Sequence, residues 1–411
     1  MLASYIVRGV KLHAAILLLT ILTAISIHPQ IADIRQPIRL ENGKLTGRGA
    51  ETLLKAINGA RFVVMGEDHG FAEIPQFASA LWDAKKFDRL AIETGPIAAA
   101  ELERMLRQSE PRDQLALFLK QYPAAVPFYS WEEEFAFLEH VAGSRPQTKK
   151  LLLGVDQEFV MSPSLLLTRI IEQKPTAAVR AQAERMLRQS DAATNLVRNS
   201  EEMGRVYMFT SAEEDFQRLV QLSKRDKLAV RRIAGQLLAT RQIYGKYQQN
   251  QGYESNRQRA QLMKRNLIEA VGTGTLTRPP QLMVKVGANH GFRGLNPLNS
   301  SEIGSFISEW SEGLGLGSVH VLVLAKRGTQ ARFGNLNNTA QPREFDATKD
   351  ESLAFAGRFF EIAPDNEWSL FDLRAFRGTK SRQFDPAVQR LVYGYDFLVV
   401  IPQAKASRAV R

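Results

Sequence analysis

The stretch that decides the fold is "VVMGEDHGF", residues 63–71. It begins with β-branched and apolar residues, as buried strands do, and the run stops at a glycine. Glu67, Asp68 and His69 follow directly. A strand that merely continues into a loop does not require two carboxylates and a histidine at its exit. The stretch therefore indicates a strand that delivers polar side chains to a site.

Other apolar runs rich in Val, Ile and Leu occur along the chain, and most are separated by segments with the apolar period of helices. Alternation of strand and helix indicates a mostly parallel sheet with helices on its faces. We therefore predict an α/β fold with a mostly parallel central sheet and flanking helices. The predicted strands are 61–66, 89–93, 150–156, 282–287, 319–325 and 397–402.

The middle of the sequence has helical periods only, which predicts a large helical insertion over residues 163–275. The two parts of the α/β domain then occupy 45–162 and 280–405. We expect the insertion to cover the site and to supply the walls of its pocket.

The first 32 residues resemble an export signal. Arg8 and Lys11 precede an apolar run from residue 14 to 27, and this run is shorter than the ~20 residues of a typical membrane-spanning helix. We expect a signal peptide or an N-terminal membrane anchor. The protein is then exported to the periplasm or secreted, or it is held at the inner membrane if the signal is not cleaved.

Composition excludes several classes of protein. Of the 411 residues, 44% are hydrophobic and 24% charged, which favours a packed core over disorder. The absence of cysteine rules out disulfides and a cysteine nucleophile. The formal net charge is +11, and residues 163–270 hold 19 Lys and Arg against 11 Asp and Glu. Because no nucleic-acid motif accompanies this surplus, we interpret it as solvated helix faces and expect no nucleic-acid partner.

Polar residues follow four of the predicted strands. Glu67, Glu93 and Asp156 come at the ends of the first three, and Asn289 and His290 follow the fourth. The carboxyl ends of parallel strands share one edge, where α/β sheets bind ligands. A polar turn explains one such strand end more easily than four, so the sequence predicts a common crevice.

His69 and His290 are the two histidines, of six, that lie at strand exits. A histidine beside carboxylates can serve as a general base, with Glu67 or Glu93 holding the ring or sharing a water molecule. Alternatively, one of the two histidines only bonds a loop backbone. His140 falls in a predicted helix, and His320 inside a strand, where we expect a structural role.

The sequence lacks the local motifs of several enzyme classes. It has no G-x-S-x-G elbow, no Walker A sequence and no G-x-G-x-x-G after a strand. Two histidines and several carboxylates could bind a divalent metal, although no H-E-x-x-H spacing is present. We expect no required cofactor and leave a metal or haem open.

The motifs together resemble the erythromycin esterase family and its relatives, the ChaN-type haem-binding lipoproteins and the Tiki-type proteases. The matching stretches, in order, are "MGEDHGFAEIPQF", "IETGP", "YPAAVPFYSWEEEFAFLEHV", "LLLGVDQEF", "RAQLMKRNL", "VKVGANHGF" and "YGYDFLVVIP". Two details depart from the esterases: the first motif reads G-E-x-H-G where they have G-E-x-x-H-G, and Ala260 replaces an aspartate.

The resemblance implies an exported hydrolase that activates water to cleave an ester-type bond of a small molecule. His69 is then the general base, Glu67 and Glu93 position water or the base, and His290 polarises the substrate or donates a proton. The residues expected to contact the substrate are Asp68, Trp131, Asp156, Arg259 and Asn289. The alternative is a ChaN-like protein that holds haem or iron in the same crevice without turnover.

Overall fold

The computed structural model describes residues 31–337 and 339–410. The expected signal or anchor, residues 1–32, lies almost wholly outside them. Within the described part of the chain, no helix is both long and apolar enough to cross a membrane. A nine-stranded sheet with helices on its faces dominates the structure and confirms the α/β prediction.

The described residues form eleven strands, of which nine make up the large sheet and two, at residues 39–41 and 44–46, pair antiparallel in a separate sheet. Their bounds are β1 (Arg35–Pro37), β2 (Arg39–Glu41), β3 (Lys44–Thr46), β4 (Phe62–Glu67), β5 (Arg89–Ile92), β6 (Leu152–Gly154), β7 (Leu282–Gly287), β8 (Ser318–Arg332), β9 (Gln341–Asp346), β10 (Ser369–Asp372) and β11 (Phe397–Ala404).

The helices precede, follow or connect these strands. The α-helices are α1 (Arg48–Asn58), α2 (Glu73–Asp83), α3 (Pro96–Leu106), α4 (Pro111–Gln121), α5 (Glu132–Ser144), α6 (Pro163–Glu172), α7 (Ala177–Ser200), α8 (Tyr207–Thr210), α9 (Glu213–Leu222), α10 (Leu228–Gln248), α11 (Gly252–Val271), α12 (Ile303–Gly313), α13 (Gly357–Ile362) and α14 (Pro386–Gly394). Short 3₁₀ turns cover Met203–Arg205, Ser223–Arg225, Thr273–Thr275, Ala288–Gly291, Ala347–Lys349, Glu351–Ala356, Leu373–Phe376 and Gly378–Gln383.

The large sheet has the order β1-β10-β11-β8-β4-β7-β5-β6, with β9 beside β8. The run from β11 to β6 is parallel, whereas β1, β10 and β9 pair antiparallel. β4 and β7 are buried along their whole length. This explains why both read as nearly continuous apolar runs, since parallel strands covered on both faces alternate little.

Each face of the sheet has its own apolar core. On one face, Phe62 and Val64 of β4 pack with Met263 of α11 and Ile303 of α12. On the other face, Val63 and Met65 join the larger core, in which α2 and α5 take part. Strand residues point alternately to the two faces, so Glu67 lies on the side of Val63 and Met65.

The segment between β6 and β7 is helical. All its residues are described, and from Pro163 to Val271 they form helices α6 to α11 with no strand. α11 returns the chain to the sheet by packing against β6 and the face that it shares with α12.

Several strands escaped prediction. β8 runs seven residues beyond the predicted end at 325, and its second half pairs with β9. That half reads "KRGTQAR", a mostly polar run with no apolar period from which a strand could be predicted. β1 and β10 have three and four residues, which is too short for periodicity to be detected.

Candidate functional site

The site lies where the central strands end. Glu67 is the last residue of β4 and pairs in register with Gly287, the last residue of β7. Glu93 directly follows β5. After His69 the chain turns at Gly70, which has a φ of 96°. A Cβ atom at Gly70 would lie 2.2 Å from a backbone carbonyl oxygen, so the turn that presents His69 requires glycine.

His69 lies between two buried carboxylates. Its Nδ1 is 2.7 Å from Glu67 Oε1, and its Nε2 is 3.5 Å from Glu93 Oε2. The ring stacks on Phe128 with 3.9 Å between centroids. The side chain is 22% exposed, whereas those of Glu67 and Glu93 are 1% and 5% exposed. The ring is therefore held on both sides and still reaches solvent.

The two carboxylates determine the charge of this ring. Burial lowers the pKa of His69, but Glu93 and Glu67 outweigh burial and raise it to about 10. Burial likewise raises the pKa of Glu67, but Lys285 and His69 outweigh it and lower that pKa. At neutral pH the ring is thus an imidazolium beside two carboxylate anions.

Glu93 is the most heavily contacted side chain of the site. Its Oε2 accepts the backbone N–H of Gly287 at 2.5 Å, and its Oε1 accepts Arg259 Nη2 at 2.8 Å. Burial raises its pKa, but His290 and His69 outweigh burial and hold it well below its usual range. Arg259 also donates to Asp156 at 2.5 and 2.8 Å, so Asp156 braces the guanidinium that braces Glu93.

His290 approaches Glu93 from the other side. Its Nε2 is 3.5 Å from Glu93 Oε1, and its Nδ1 is 3.0 Å from Glu302 Oε2. Burial and Arg259 lower the pKa of His290, but Glu93 and Glu302 raise it more. A Cβ atom on Gly287 would lie 3.0 Å from His69 Nε2 and 3.8 Å from His290 Cδ2, so both rings border one small space.

A cavity of about 710 Å³ opens above these groups. The predicted site residues that line it are Glu67, Asp68, His69, Glu93, Trp131, Asn289 and His290. Asp156 and Arg259 do not line it, because they lie behind Glu93. The indole N–H of Trp131 donates to the carbonyl oxygen of Thr339 at 3.0 Å, which fixes that ring in the wall.

The expectation that the helical insertion supplies the cavity walls is wrong. No residue of 163–275 is among the described residues that line the cavity. Its remaining walls come from residues 330–333 at the end of β8 and from Asp350 to Phe355. The insertion instead packs through α11 against β6 and one sheet face, and its contribution to the cluster is Arg259.

Three contributing side chains were not predicted from the sequence. Lys285 contacts Glu67 and Glu134, Glu302 contacts His290, and Gln330 donates to Asp68 and to the His69 carbonyl. One signal was present: a lysine inside the apolar run "LMVKVG" has to be paired when the strand is buried. The other partners are too far away in sequence to be inferred from spacing.

The other two histidines of the described residues have structural surroundings. His320 is buried in β8, its Nδ1 lies 2.7 Å from the Gly291 carbonyl oxygen, and burial lowers its pKa to about 3. His140 is exposed on α5 beside Asp83. Among residues 31–337 and 339–410, no cluster of three or more His, Asp or Glu has an arrangement suited to a metal ion.

Sequence comparison adds little. No protein-family model matches the chain, and no curated protein matches it significantly.

Comparison of structures is informative. An erythromycin esterase, EreC, solved as a histidine-to-asparagine mutant in its open conformation, is similar with a TM-score of 0.66 and 16% identity, over 92% of this chain and 99% of that one. A Bacillus cereus protein has a TM-score of 0.60 at 15% identity, over 93% and 98%. A succinoglycan biosynthesis protein has 0.56 at 16%, over 93% and 98%.

These similarities extend over nearly the whole of each chain, at an identity that shows the fold alone. The sheet whose edge carries the histidines and carboxylates is thus part of a shared architecture. The chain has the fold of an erythromycin esterase.

Proposed function

We propose that the protein is a hydrolase that activates water to cleave an ester-type bond of a small molecule. The observation that supports this most is the position of His69, which lies between Glu67 and Glu93 at the floor of a 710 Å³ cavity. A histidine whose Nδ1 contacts a carboxylate and that lines a cavity has the arrangement of a general base, and it acts in its neutral form.

The proposed reaction assigns one proton step to each histidine. In the fraction of molecules in which His69 is neutral, its Nε2 accepts a proton from water while the water oxygen adds to the ester carbonyl carbon. Glu67 stabilises the imidazolium that forms through its contact with Nδ1. His290, oriented by Glu302, donates a proton to the departing alkoxide. Glu93 fixes the spacing of the two rings. Arg259 and Asp156, proposed from sequence to contact the substrate, are better placed to hold Glu93.

Asp68, Trp131 and Asn289 line the cavity and are proposed to contact the substrate. Burial raises the pKa of Asp68 to about 6, so its carboxyl group can carry a proton in mildly acidic solution.

Replacing His69 tests the proposal. We expect His69→Gln and His290→Gln each to lower kcat/KM on activated aryl esters by about 10²–10⁴-fold with little effect on folding. His140→Gln is the matched control, because His140 is exposed on α5 and also pairs with a carboxylate. Hydrolysis that survives both site variants contradicts the assignment. Absence of turnover, with a Soret band on haem addition, favours the ChaN-like alternative.

We propose that no metal is required. The carboxylates of the cluster already have cationic partners within the protein: Glu67 has Lys285, and Glu93 has Arg259. Dialysis against EDTA is expected to leave hydrolysis unchanged. A loss that added Zn²⁺ or Mn²⁺ restores contradicts this view.

We also propose export, on the basis of the basic and apolar residues of the first 32 positions. Residues 1–32 fused to an alkaline phosphatase that folds only outside the cytoplasm are expected to give activity. A fusion that stays inactive although it is expressed argues against export.

A further inference from the structure

Lys285 occupies an unusual place for a charged side chain. It lies in the middle of β7, between β4 and β5 at the centre of the sheet, and its side chain is 1% exposed. Burying an ammonium group costs several kcal/mol unless it is well paired. A methionine of similar length fills such a position without that cost. The lysine therefore needs a reason other than packing.

Its contacts connect it to the site. Lys285 Nζ donates to Glu67 Oε1 at 2.7 Å and to the two oxygens of Glu134 at 2.7 and 2.9 Å. An ammonium group has three N–H donors, so these three oxygens satisfy it completely. Glu67 Oε1 is also the atom that contacts His69 Nδ1 at 2.7 Å. One carboxylate oxygen thus links the lysine to the imidazole.

We propose that Lys285 is a positioning residue of the hydrolytic site: its ammonium keeps Glu67 ionised and in place, and Glu67 in turn orients and charges the His69 ring. The part of this inference that concerns hydrolysis rests on the proposed function of His69. The contacts among Lys285, Glu67 and His69 are independent of that function.

The two carboxyl groups that contact Lys285 differ in how readily they take up a proton. The groups that face it are Glu67 from β4, Glu134 from α5 and the Tyr129 ring, 5.9 Å away. Burial raises the pKa of Glu134 to about 7 against the opposing effect of Lys285, whereas the pKa of Glu67 is lowered. Glu67 is therefore the carboxylate that stays charged, and Glu134 can take up a proton.

A double substitution distinguishes two roles for Lys285: holding Glu67 in place, or only neutralising the charge of Glu134. Lys285→Met alone removes the ammonium and leaves two buried carboxylates together, which endangers folding. Lys285→Met combined with Glu134→Gln removes the ammonium together with the second carboxyl group that faces it, so Glu67 keeps only its contact with His69. Without the ammonium, burial favours protonated Glu67, which no longer holds a proton on His69.

The readout is the titration of the His69 ring, followed by NMR in the full chain with ¹⁵N-labelled histidine and assigned through its loss in His69→Gln. We expect the ring pKa to be at least about one pH unit lower in the double variant than in the wild type, and in the single variant if it folds. Lys326→Met is the control, because Lys326 is also a buried lysine, and its ammonium contacts Asp365 and the Ala363 carbonyl oxygen, neither of which contacts His69.

An unchanged His69 titration in the double variant overturns the proposal. A second result also overturns it: Lys285→Met alone lowers the pKa of His69, and adding Glu134→Gln restores the wild-type value. In that case Lys285 only neutralises Glu134. The experiment requires no substrate, so it gives its answer even if no ester is hydrolysed, and failure of the hydrolase proposal stays distinguishable from failure of this one.

Discussion

Glu93 lies between two imidazole rings and also accepts a guanidinium N–H and a backbone N–H. The rings lie on different oxygens of the carboxylate, each 3.5 Å away. A single buried anion thereby holds two groups that repel each other when both are protonated. Glu93 is consequently the residue whose charge controls both histidines.

This geometry predicts an alkaline pH dependence. A base whose pKa is raised to about 10 is mostly protonated at neutral pH, so kcat/KM should climb about tenfold per pH unit from pH 7 to 9. Glu93→Gln removes the largest charge that raises the pKa of His69 and should move this rise to lower pH. Initial rates across the range give the answer, and a flat wild-type profile excludes His69 as the base.

Gly70 is the residue of the site whose backbone conformation requires glycine. Gly70→Ala places a Cβ atom 2.2 Å from the Ala331 carbonyl oxygen in a left-handed backbone conformation. We expect a loss of about 1–3 kcal/mol in the free energy of unfolding, measured by urea denaturation. Gly143→Ala in α5 is the control, because a Cβ atom added there meets open space and alanine favours a helix. Equal stabilities of the two variants contradict the argument.

At the scale of elements, the parallel strands were predictable because burial on both faces makes them apolar throughout. Polar residues at their ends then identified Glu67, Glu93 and His290. Lys285 was not identified, because its partner Glu67 is 218 residues away. The walls of the cavity were wrongly predicted to come from the helical insertion. Apolar periodicity distinguishes a helix from a strand but does not show where a helix packs.

The end of β8, and not the insertion, is therefore expected to govern substrate choice. Phe333 lines the cavity just beyond β8, so Phe333→Ala should change KM among esters of different size by severalfold and leave kcat for small esters nearly constant. Tyr253→Ala in α11 is the control, since Tyr253 is an exposed aromatic residue of the insertion. If Tyr253→Ala changes the KM values among these esters and Phe333→Ala does not, the insertion rather than the end of β8 governs substrate choice.

For the whole molecule, the buried ionisable groups predict how stability varies with pH. The pKa of His69 is raised from 6.5 to about 10, so its contribution is complete below pH 6.5 and is lost as pH rises through 10. The pKa of His320 is lowered in the folded protein, so this histidine destabilises the fold as pH falls below 6.5 and has no effect above that pH. The free energy of unfolding should accordingly fall between pH 7 and 10.

Urea denaturation at several pH values checks this expectation, with His69→Gln as the comparison. The variant lacks the titrating ring, so its stability should fall less steeply over the same window. Parallel curves for the two proteins mean that the ring does not hold its proton more tightly in the folded state.

The position of β4 in the sheet has a consequence for how the chain folds. β4 ends at Glu67, yet it pairs with β7, which begins at Leu282, and with β8, which begins at Ser318. During synthesis one edge of this apolar strand stays unpaired until residue 282 has emerged, and the other until residue 318 has emerged. Such distant pairing slows folding, and the unpaired strand edges favour aggregation in the meantime.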